Sequence, residues 1–497
     1  MSVEQSQCAS SAERKQTWVT IDFAACERKV RKLQIRIAEA QKEGRYNKVK
    51  ALQHLLVTSY AAKVLAVRKV TTNKGKLTAG VDKVTWLTLT EKKNAVRSLK
   101  RRGYRPLPLK RVFIPKKNGK LRPLGIPTIK DRAMQALYLM ALEPITETTG
   151  DMNSYGFRRY RSTADAMDAI HRWLSRGNSP EWILEGDIKG CFDHISHEWL
   201  SGNVQTDKTI LQKWLKSGVV FNRLLQPTTE GTPQGGIISP TLANATLDGM
   251  ERLLKERYPS GWNKEMKRAH SFKVNLVRYA DDFIVTGESK EILEEIKQLL
   301  IDFLKERGLE LSEEKTVITH VKGGFDFLGF NIRKYGGTLL IKPSAKSQKR
   351  FTEKLHEVVF SKKSTSQQSL IAALNPVLRG WGNYYSHVVS KEVFSKMDHI
   401  LTRQLIRWCY RRHPNKSRRW RKDKYFIRDG KMDWTFGYHY ELGGESHTFK
   451  LMKLACIPIT RHIKVKSEAN PFDTAWDEYF KQRKASYRRT RAARPAA

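Results

Sequence analysis

An α+β fold is predicted by three features of the sequence. Short apolar runs flank tight turns at 111–127, 274–287 and 325–343, the pattern of antiparallel hairpins. Apolar residues recur at helical spacing from Ala24 to Val67 and again after Pro343. Between the hairpins, DRAMQALYLMALEPI (131–145), 240–256 and 288–307 read as helices.

The elements follow in order. Residues 1–18 are polar and are expected to be poorly ordered. Cys26, Val30, Leu33, Ile37 and Ala40 form one stripe, and Val49, Leu52, Leu56, Tyr60, Val64 and Val67 form another after Gly44. They predict a helical hairpin with a basic outer face. Residues 71–86 are turn-rich. RVFIPKKNGKLRPLGIP (111–127) predicts a hairpin with Lys117-Asn118-Gly119-Lys120 at its turn. ILEGDI, within 183–193, predicts a short strand followed by a turn at Gly190. FDFLGFNI (325–332) and TLLIKP (338–343) predict a second hairpin, and helices are expected beyond it. There Phe394, Met397, Leu401, Leu405 and Trp408 share one helix face. The tail after Phe480 is basic and is expected to fray.

Composition narrows the function. The 497 residues hold 92 Lys+Arg against 50 Asp+Glu, a formal net charge of +42. Such an excess strains the compact state by self-repulsion, which a polyanion relieves. Twelve Trp, 17 Tyr and 19 Phe add stacking surfaces, favouring nucleic acid as the partner. An apolar fraction of 40% is compatible with a real core. Five scattered Cys form no CxxC pair, so neither a disulfide framework nor a Cys-rich zinc site is expected. No apolar run approaches the ~20 residues of a membrane span, and the N-terminus lacks a signal core. A reducing interior compartment, cytoplasmic or nucleoid-associated in a bacterium or inside an organelle, is expected.

The chemistry centres on VNLVRYADDFIVTG. Asp281 and Asp282 are adjacent at a predicted hairpin tip, and adjacent carboxylates call for a cation. A hard divalent ion such as Mg²⁺ suits oxygen ligands. Asp187, at the end of ILEGDI, can complete the set if its strand neighbours that hairpin. Three carboxylates holding two Mg²⁺ ions is the arrangement for phosphoryl transfer. Asp193 lies past the turn and is expected to cap or brace the helix starting near His197. Lys116 and Arg122 flank the 117–120 turn and suit triphosphate oxygens. GTPQGGIISP (231–240) offers close backbone approach to a nucleotide. From Arg403 to 431, basic residues are interleaved with Trp420 and Tyr425, which points to nucleic-acid contact by Arg403, Arg407, Arg411, Arg418, Arg419, Arg421 and Lys422.

These motifs together resemble the group II intron-encoded reverse transcriptase–maturases. KKNGKLRPLGIPTIKDRAMQ and NSYGFRRYRSTADA resemble their fingers motifs, and LEGDIKGCFDHI and YADD their palm motifs. GTPQGGIISPTLAN resembles the nucleotide-side motif, LSEEKT and FLGF the later palm, LNPVLRGWGNYY the thumb, and ANPFDTAWDEYF the DNA-binding segment. The resemblance implies a right-hand polymerase: N-terminal helical extension 1–70, fingers 71–180, antiparallel palm 181–343, α-helical thumb 344–430 and basic DNA-binding domain 431–497. It implies Asp187, Asp281 and Asp282 as metal ligands. It places Lys116 and Arg122 on the triphosphate, Phe192 as the steric gate against a ribose 2′-hydroxyl, Gln234 and Gly235 in the nucleotide pocket, and Lys315 in proton transfer to pyrophosphate. Implied partners are dNTPs, an RNA template with DNA primer, the intron RNA and target DNA, in service of splicing and intron mobility. Many such proteins continue into a Cys/His-rich HNH endonuclease domain. No CxxC pair occurs here and the five Cys are scattered, so DNA cleavage by the chain is not expected. Two rivals stand beside this reading: a splicing-only RNA-binding maturase, and a domesticated or defence-linked reverse transcriptase that has left its intron.

Overall fold

A computed structural model of the chain describes residues 18–115, 119, 121–221, 224–232, 235–263, 268–430 and 432–492. It divides into two compact units, Met1–Ser162 with Ile183–Ile318 and Val465–Glu478, and Thr163–Trp182 with Thr319–Lys464 and Tyr479–Ala497. Among the described residues, no helix is long and apolar enough to cross a membrane.

The first unit is built around helix Ile129–Thr149, which buries residues on every side and packs against the N-terminal helices. Those helices are three rather than the expected two: Phe23–Lys42, Tyr46–Thr58 and Tyr60–Thr72. Ser59 is extended, and its side chain accepts from Ala62 N, so it starts a new helix where the apolar stripe runs on unbroken. The stripe reports the buried face; the polar cap decides the break. Segment 465–478 belongs to this unit. Arg31 donates to Pro471 O and pairs with Asp477, Asn470 donates to Thr148, and Phe472 is fully buried.

Two sheets complete the unit. One has the spatial order 121–126, 109–115, 219–221, 224–226. Its hairpin pairs Leu109–Pro115 with Leu121–Ile126 antiparallel, as the alternation predicts. The other has the order 317–320, 182–187, 282–287, 275–279, so the strand ending at Asp187 lies beside the hairpin bearing Asp281 and Asp282. Helix Lys290–Lys305 buries Leu293, Ile296, Leu300 and Leu304 and packs on strand Asp282–Gly287.

The second unit joins helix Thr163–Leu174, a sheet of Phe325–Phe327, Phe330–Tyr335 and Thr338–Pro343, and helices Ala345–Ser361, Gln367–Tyr385 and Lys391–Arg412. FLGF makes the two-residue turn of a hairpin, with Leu328 and Gly329 both at positive φ, as tight hairpins require. GNYY holds that turn: Tyr384 OH donates to Leu328 O and Tyr385 OH to Gly329 O, at 2.8 and 3.0 Å. The predicted stripe is buried: Phe394, Met397, Leu401, Leu405 and Trp408.

Two expectations fail in this unit. The region after Pro343 is not helical throughout, because Phe426–Asp429, Met432–Leu442 and Glu445–Lys450 form an antiparallel sheet. Nor does the described tail fray. Helix Asp477–Ala492 is pinned where Arg483 pairs with the buried Asp165 and Tyr487 OH bonds His462.

Candidate active site

The hairpin at the centre of the site pairs Tyr279 with Asp282, leaving Ala280 and Asp281 as its turn. Leu276, Val277, Phe283, Ile284 and Val285 are buried and fix the turn to the sheet. Ala280 adopts φ of 59°, a conformation that costs a residue with a Cβ. What braces it comes from NSYGFRR. A Cβ on Gly156 would lie 2.4 Å from Ala280 N and 2.9 Å from Tyr279 C, so that backbone presses directly on the turn. Gly156→Ala is therefore expected to lower polymerisation at least tenfold, with RNA affinity within about twofold of the parent. Primer-extension rates on a folded variant check this; near-parental rates would show that the turn is not held from that side.

Asp187 reaches the same end of the sheet because its strand can lie close. A Cβ on Gly186 would fall 2.2 Å from the Phe283 ring, so only glycine lets the ring lie over the strand. The LSEEK segment then closes on Asp187. Ser312 N donates to Asp187 O at 2.8 Å, Ile188 bridges Leu311, and Lys315 Nζ stands 2.7 Å from Asp187 Oδ2.

Electrostatics at this point are strained. Burial pushes the Asp282 carboxyl up to about 7, helped by Asp281, by Asp187 and by a hydrogen bond to Asp187. Burial likewise raises Asp281, with Asp187 adding to it and Arg122 and Lys315 opposing. The hydrogen bond to Asp187 raises Lys315. Among the described residues, no three His, Cys, Asp or Glu side chains are drawn tightly enough to close on one ion. The donor chemistry nevertheless fits a hard divalent cation: three half-buried carboxylates with oxygen donors only, two of them pushed upward despite Lys315 and Arg122.

The other predicted residues are placed as follows. Arg122 lies on strand Leu121–Ile126 and acts electrostatically on Asp281. Lys116 and Gln234 lie outside the described residues. Gly235 has φ of 118°, and a Cβ there would sit 2.9 Å from Gly125 O, so the glycine loop abuts the fingers hairpin. Phe192 lies on the turn Cys191–His194, with its ring centroid 6.4 Å from that of Phe157. It lines a cavity of about 290 Å³ with Leu109, Pro123, Gly125 and Thr232. Thr232 N donates to Phe192 O, tying the glycine loop to that turn. Asp193 is not the cap of helix His197–Asn203; Ser196 is, accepting from Trp199 N. Arg403, Arg407, Arg411, Arg418 and Arg419 are exposed on their helices. Arg421 is instead committed to local structure, donating to His413 O at 2.8 Å and lying over Tyr410. Lys422 stands 5.3 Å from the Trp434 ring.

Sequence reasoning missed the support beneath the turn. Arg278 is fully buried and pairs with Asp248, lies 3.9 Å from Asp151, and donates to Asn244 Oδ1. Its backbone bonds Asn153 and Tyr155 of the NSYG segment. The available signal was a charged residue inside an otherwise apolar strand.

Comparison with known proteins agrees along the chain. Residues 18–99 match the N-terminal domain of reverse transcriptase, 114–332 the reverse transcriptase (RNA-dependent DNA polymerase), and 348–426 the group II intron maturase-specific domain. The group II intron-encoded protein LtrA of Lactococcus lactis subsp. cremoris is 30% identical over 475 residues, covering 78% of each chain. The chain belongs to the group II intron reverse transcriptase–maturase family. Protein YkfC of Escherichia coli K12 is 38% identical over 307 residues, 54% of this chain and 79% of its own. Among solved structures, telomerase from Candida albicans, in complex with a fragment of telomeric RNA, has 15% identity and a TM-score of 0.36, covering 63% of this chain and 58% of its own. As a member of this family, the chain is an RNA-directed DNA polymerase with a maturase domain, and the family implies divalent metal and nucleic-acid template binding.

Proposed function

We propose that this reverse transcriptase–maturase copies intron RNA into DNA with Asp187, Asp281 and Asp282, and binds the same RNA to assist splicing and mobility. The observation that supports it most is the gathering of Asp187, Asp282 and Lys315 at one sheet end beside the Asp281 turn. Asp187, Asp281 and Asp282 would hold two Mg²⁺ ions. Bound ions of this kind lower the pKa of a primer hydroxyl and stabilise a triphosphate leaving group.

The protein's own groups do the rest. Arg122, together with Lys116, holds triphosphate oxygens on the fingers side. Gly235, with Gln234, lets the backbone approach the nucleotide. Lys315, held 2.7 Å from Asp187, would supply a proton to departing pyrophosphate. On this reading the extension and most of the fingers and palm fall in the first unit, with 163–180 and 319–343 in the second, and the helices from Ala345 onward serve as thumb and maturase surface. The exposed Arg403, Arg407, Arg411, Arg418 and Arg419 meet phosphates there, with target DNA a further partner.

Phe192 tests the nucleotide assignment. It lines the cavity with Gly125 and Thr232, five residues along the chain from Asp187, and would crowd a 2′-hydroxyl there. Phe192→Val is expected to raise ribonucleotide incorporation relative to deoxynucleotide by about tenfold or more, a discrimination of ~1–3 kcal/mol. Steady-state extension of a DNA primer on an RNA template, with matched dNTP and rNTP, measures it. An unchanged ratio would make Phe192 ordinary packing. Failure of the unaltered protein to extend at all, while still promoting splicing, would favour the splicing-only reading.

A further inference from the structure

The hairpin Met432–Leu442 with Glu445–Lys450 leaves the core part-way along its length. Even-numbered residues of its first strand share one face. At the base of that face Phe436 is buried against Trp408, Tyr425 and Phe426. Further out, the same face carries four rings in two cross-strand pairs. Tyr438 pairs with Phe449, centroids 5.9 Å apart, and Tyr440 stacks on His447 at 5.5 Å and 30°. Tyr438 and Tyr440 are 6.0 Å apart along the strand, so the rings form a continuous two-by-two array. Tyr440 remains 39% exposed.

Cations lie farther along the same face, on the other side of Phe436 from the array. Helix Arg418–Tyr425 packs on strands Phe426–Asp429 and Met432–Leu442, placing Lys422 and Arg418 5.3 and 5.9 Å from the ring of the even-numbered Trp434. Arg419 is exposed on that helix. Of the nearby acids, Asp433 faces Arg428 at 3.4 Å, Asp429 holds Lys450, and Glu445 lies 4.0 Å from His447 at the tip, while Asp423 on the helix and Glu441 on the strand are exposed. Half-exposed aromatic rings beside phosphate-binding cations are the two components of a single-strand binding surface, where unstacked bases lie on rings and the backbone follows the charge.

We infer that the Tyr438, Tyr440, His447 and Phe449 face is a stacking platform for bases of single-stranded nucleic acid, with Arg418, Arg419 and Lys422 on its phosphates. The inference deepens the proposed nucleic-acid role of the second unit and rests on it. Stacking tolerates any base, so the platform grips without reading sequence. Its contribution is also independent of salt, whereas each phosphate contact steepens the salt dependence.

The test uses the full-length protein and one short single-stranded sequence made as RNA and as DNA, each with a central 2-aminopurine. Tyr440→Ala with His447→Ala is expected to weaken binding about tenfold. It should abolish the fluorescence quenching that reports stacking, with the slope of log affinity against log salt unchanged. Tyr440→Phe with His447→Phe keeps the rings and should keep both affinity and quenching, which separates stacking from a hairpin that has merely lost stability. Arg418→Ala with Arg419→Ala and Lys422→Ala should weaken binding and flatten the slope. Ring-dependent quenching in either arm supports the platform and identifies the strand it holds. If the cation variant weakens and flattens while the alanine pair binds and quenches like the parent, the platform is overturned and the wider reading stands. If the cation variant also leaves affinity and slope unchanged, the nucleic-acid role of this surface fails with it.

Discussion

Asp281→Ala is expected to remove polymerisation by roughly a thousandfold or more, since a shared ligand for catalytic metal supplies several kcal/mol of transition-state stabilisation, at about 1.4 kcal/mol per tenfold. The folded state gives this prediction a second edge. Burial already pushes the Asp281 and Asp282 carboxyls upward, and Asp281 raises Asp282 further. Without divalent ions, removing one carboxyl therefore relieves repulsion, and the variant should melt no lower than the parent in chelator. Mg²⁺ should raise the parent's melting temperature more than the variant's, because ligand that binds the native state stabilises it by mass action. Affinity for structured RNA should stay within about twofold. Three measurements decide: primer extension on RNA, melting with and without Mg²⁺, and RNA binding. Synthesis within tenfold of the parent would sink the assignment of Asp281 as a ligand. A large drop in melting temperature in chelator would show instead that the carboxylate is structural.

Much of this site was legible because its signals are local. Adjacent Asp residues between two short apolar runs point to a hairpin tip, and Tyr279 does pair with Asp282. The proximity of Asp187 needed only that its strand be a neighbour, which it is. The signals of the sheet Phe426–Asp429, Met432–Leu442 and Glu445–Lys450 are equally local, although helices were expected there. Trp434, Phe436, Tyr438 and Tyr440 alternate with period two, and Gly443-Gly444, both at positive φ, are the turn such a hairpin needs. The basic run around it drew the reading toward charge and away from period. Other features were not legible at all. Arg483 reaches Asp165 across 318 residues, and no window of sequence holds both partners. Arg421 looked like one more member of a basic cluster, but its guanidinium closes a loop on His413. The break at Ser59 hides because a buried stripe continues through it.

Arg278 is the residue whose loss should be felt most in the fold. Its side chain has no solvent exposure, and Asp248 and Asp151 surround it at nearly full burial. Replacing it with Met fills similar volume but leaves two carboxylates buried without their closest cation, Arg158 remaining nearby, which costs about 3–5 kcal/mol. The penalty should depend on pH in a definite direction. Burial pushes Asp248 up to about 6 and also raises Asp151, while Arg278 pulls both down. A carboxyl whose folded value lies above its unfolded value binds more protons when folded. Stability therefore falls as pH rises through the window between the two values. In the parent that window for Asp248 runs from about 4 to about 6. In Arg278→Met the strongest downward pull is gone, with Arg158 and backbone hydrogen bonds left to oppose burial, so the window extends to higher pH and the variant keeps losing stability where the parent has levelled off. The difference between the two proteins should thus be largest near pH 8 and should narrow toward pH 5.5, where the orphaned carboxyls take up protons. Denaturant unfolding at both pH values measures it. A gap that is constant with pH would show that the two Asp are not the groups Arg278 neutralises. Primer extension follows the same network, because Arg278 bonds the NSYG backbone that presses on Ala280. At pH values where the variant remains folded, its polymerisation should fall more than its RNA binding, since the turn bearing Asp281 loses its brace while the thumb surface does not.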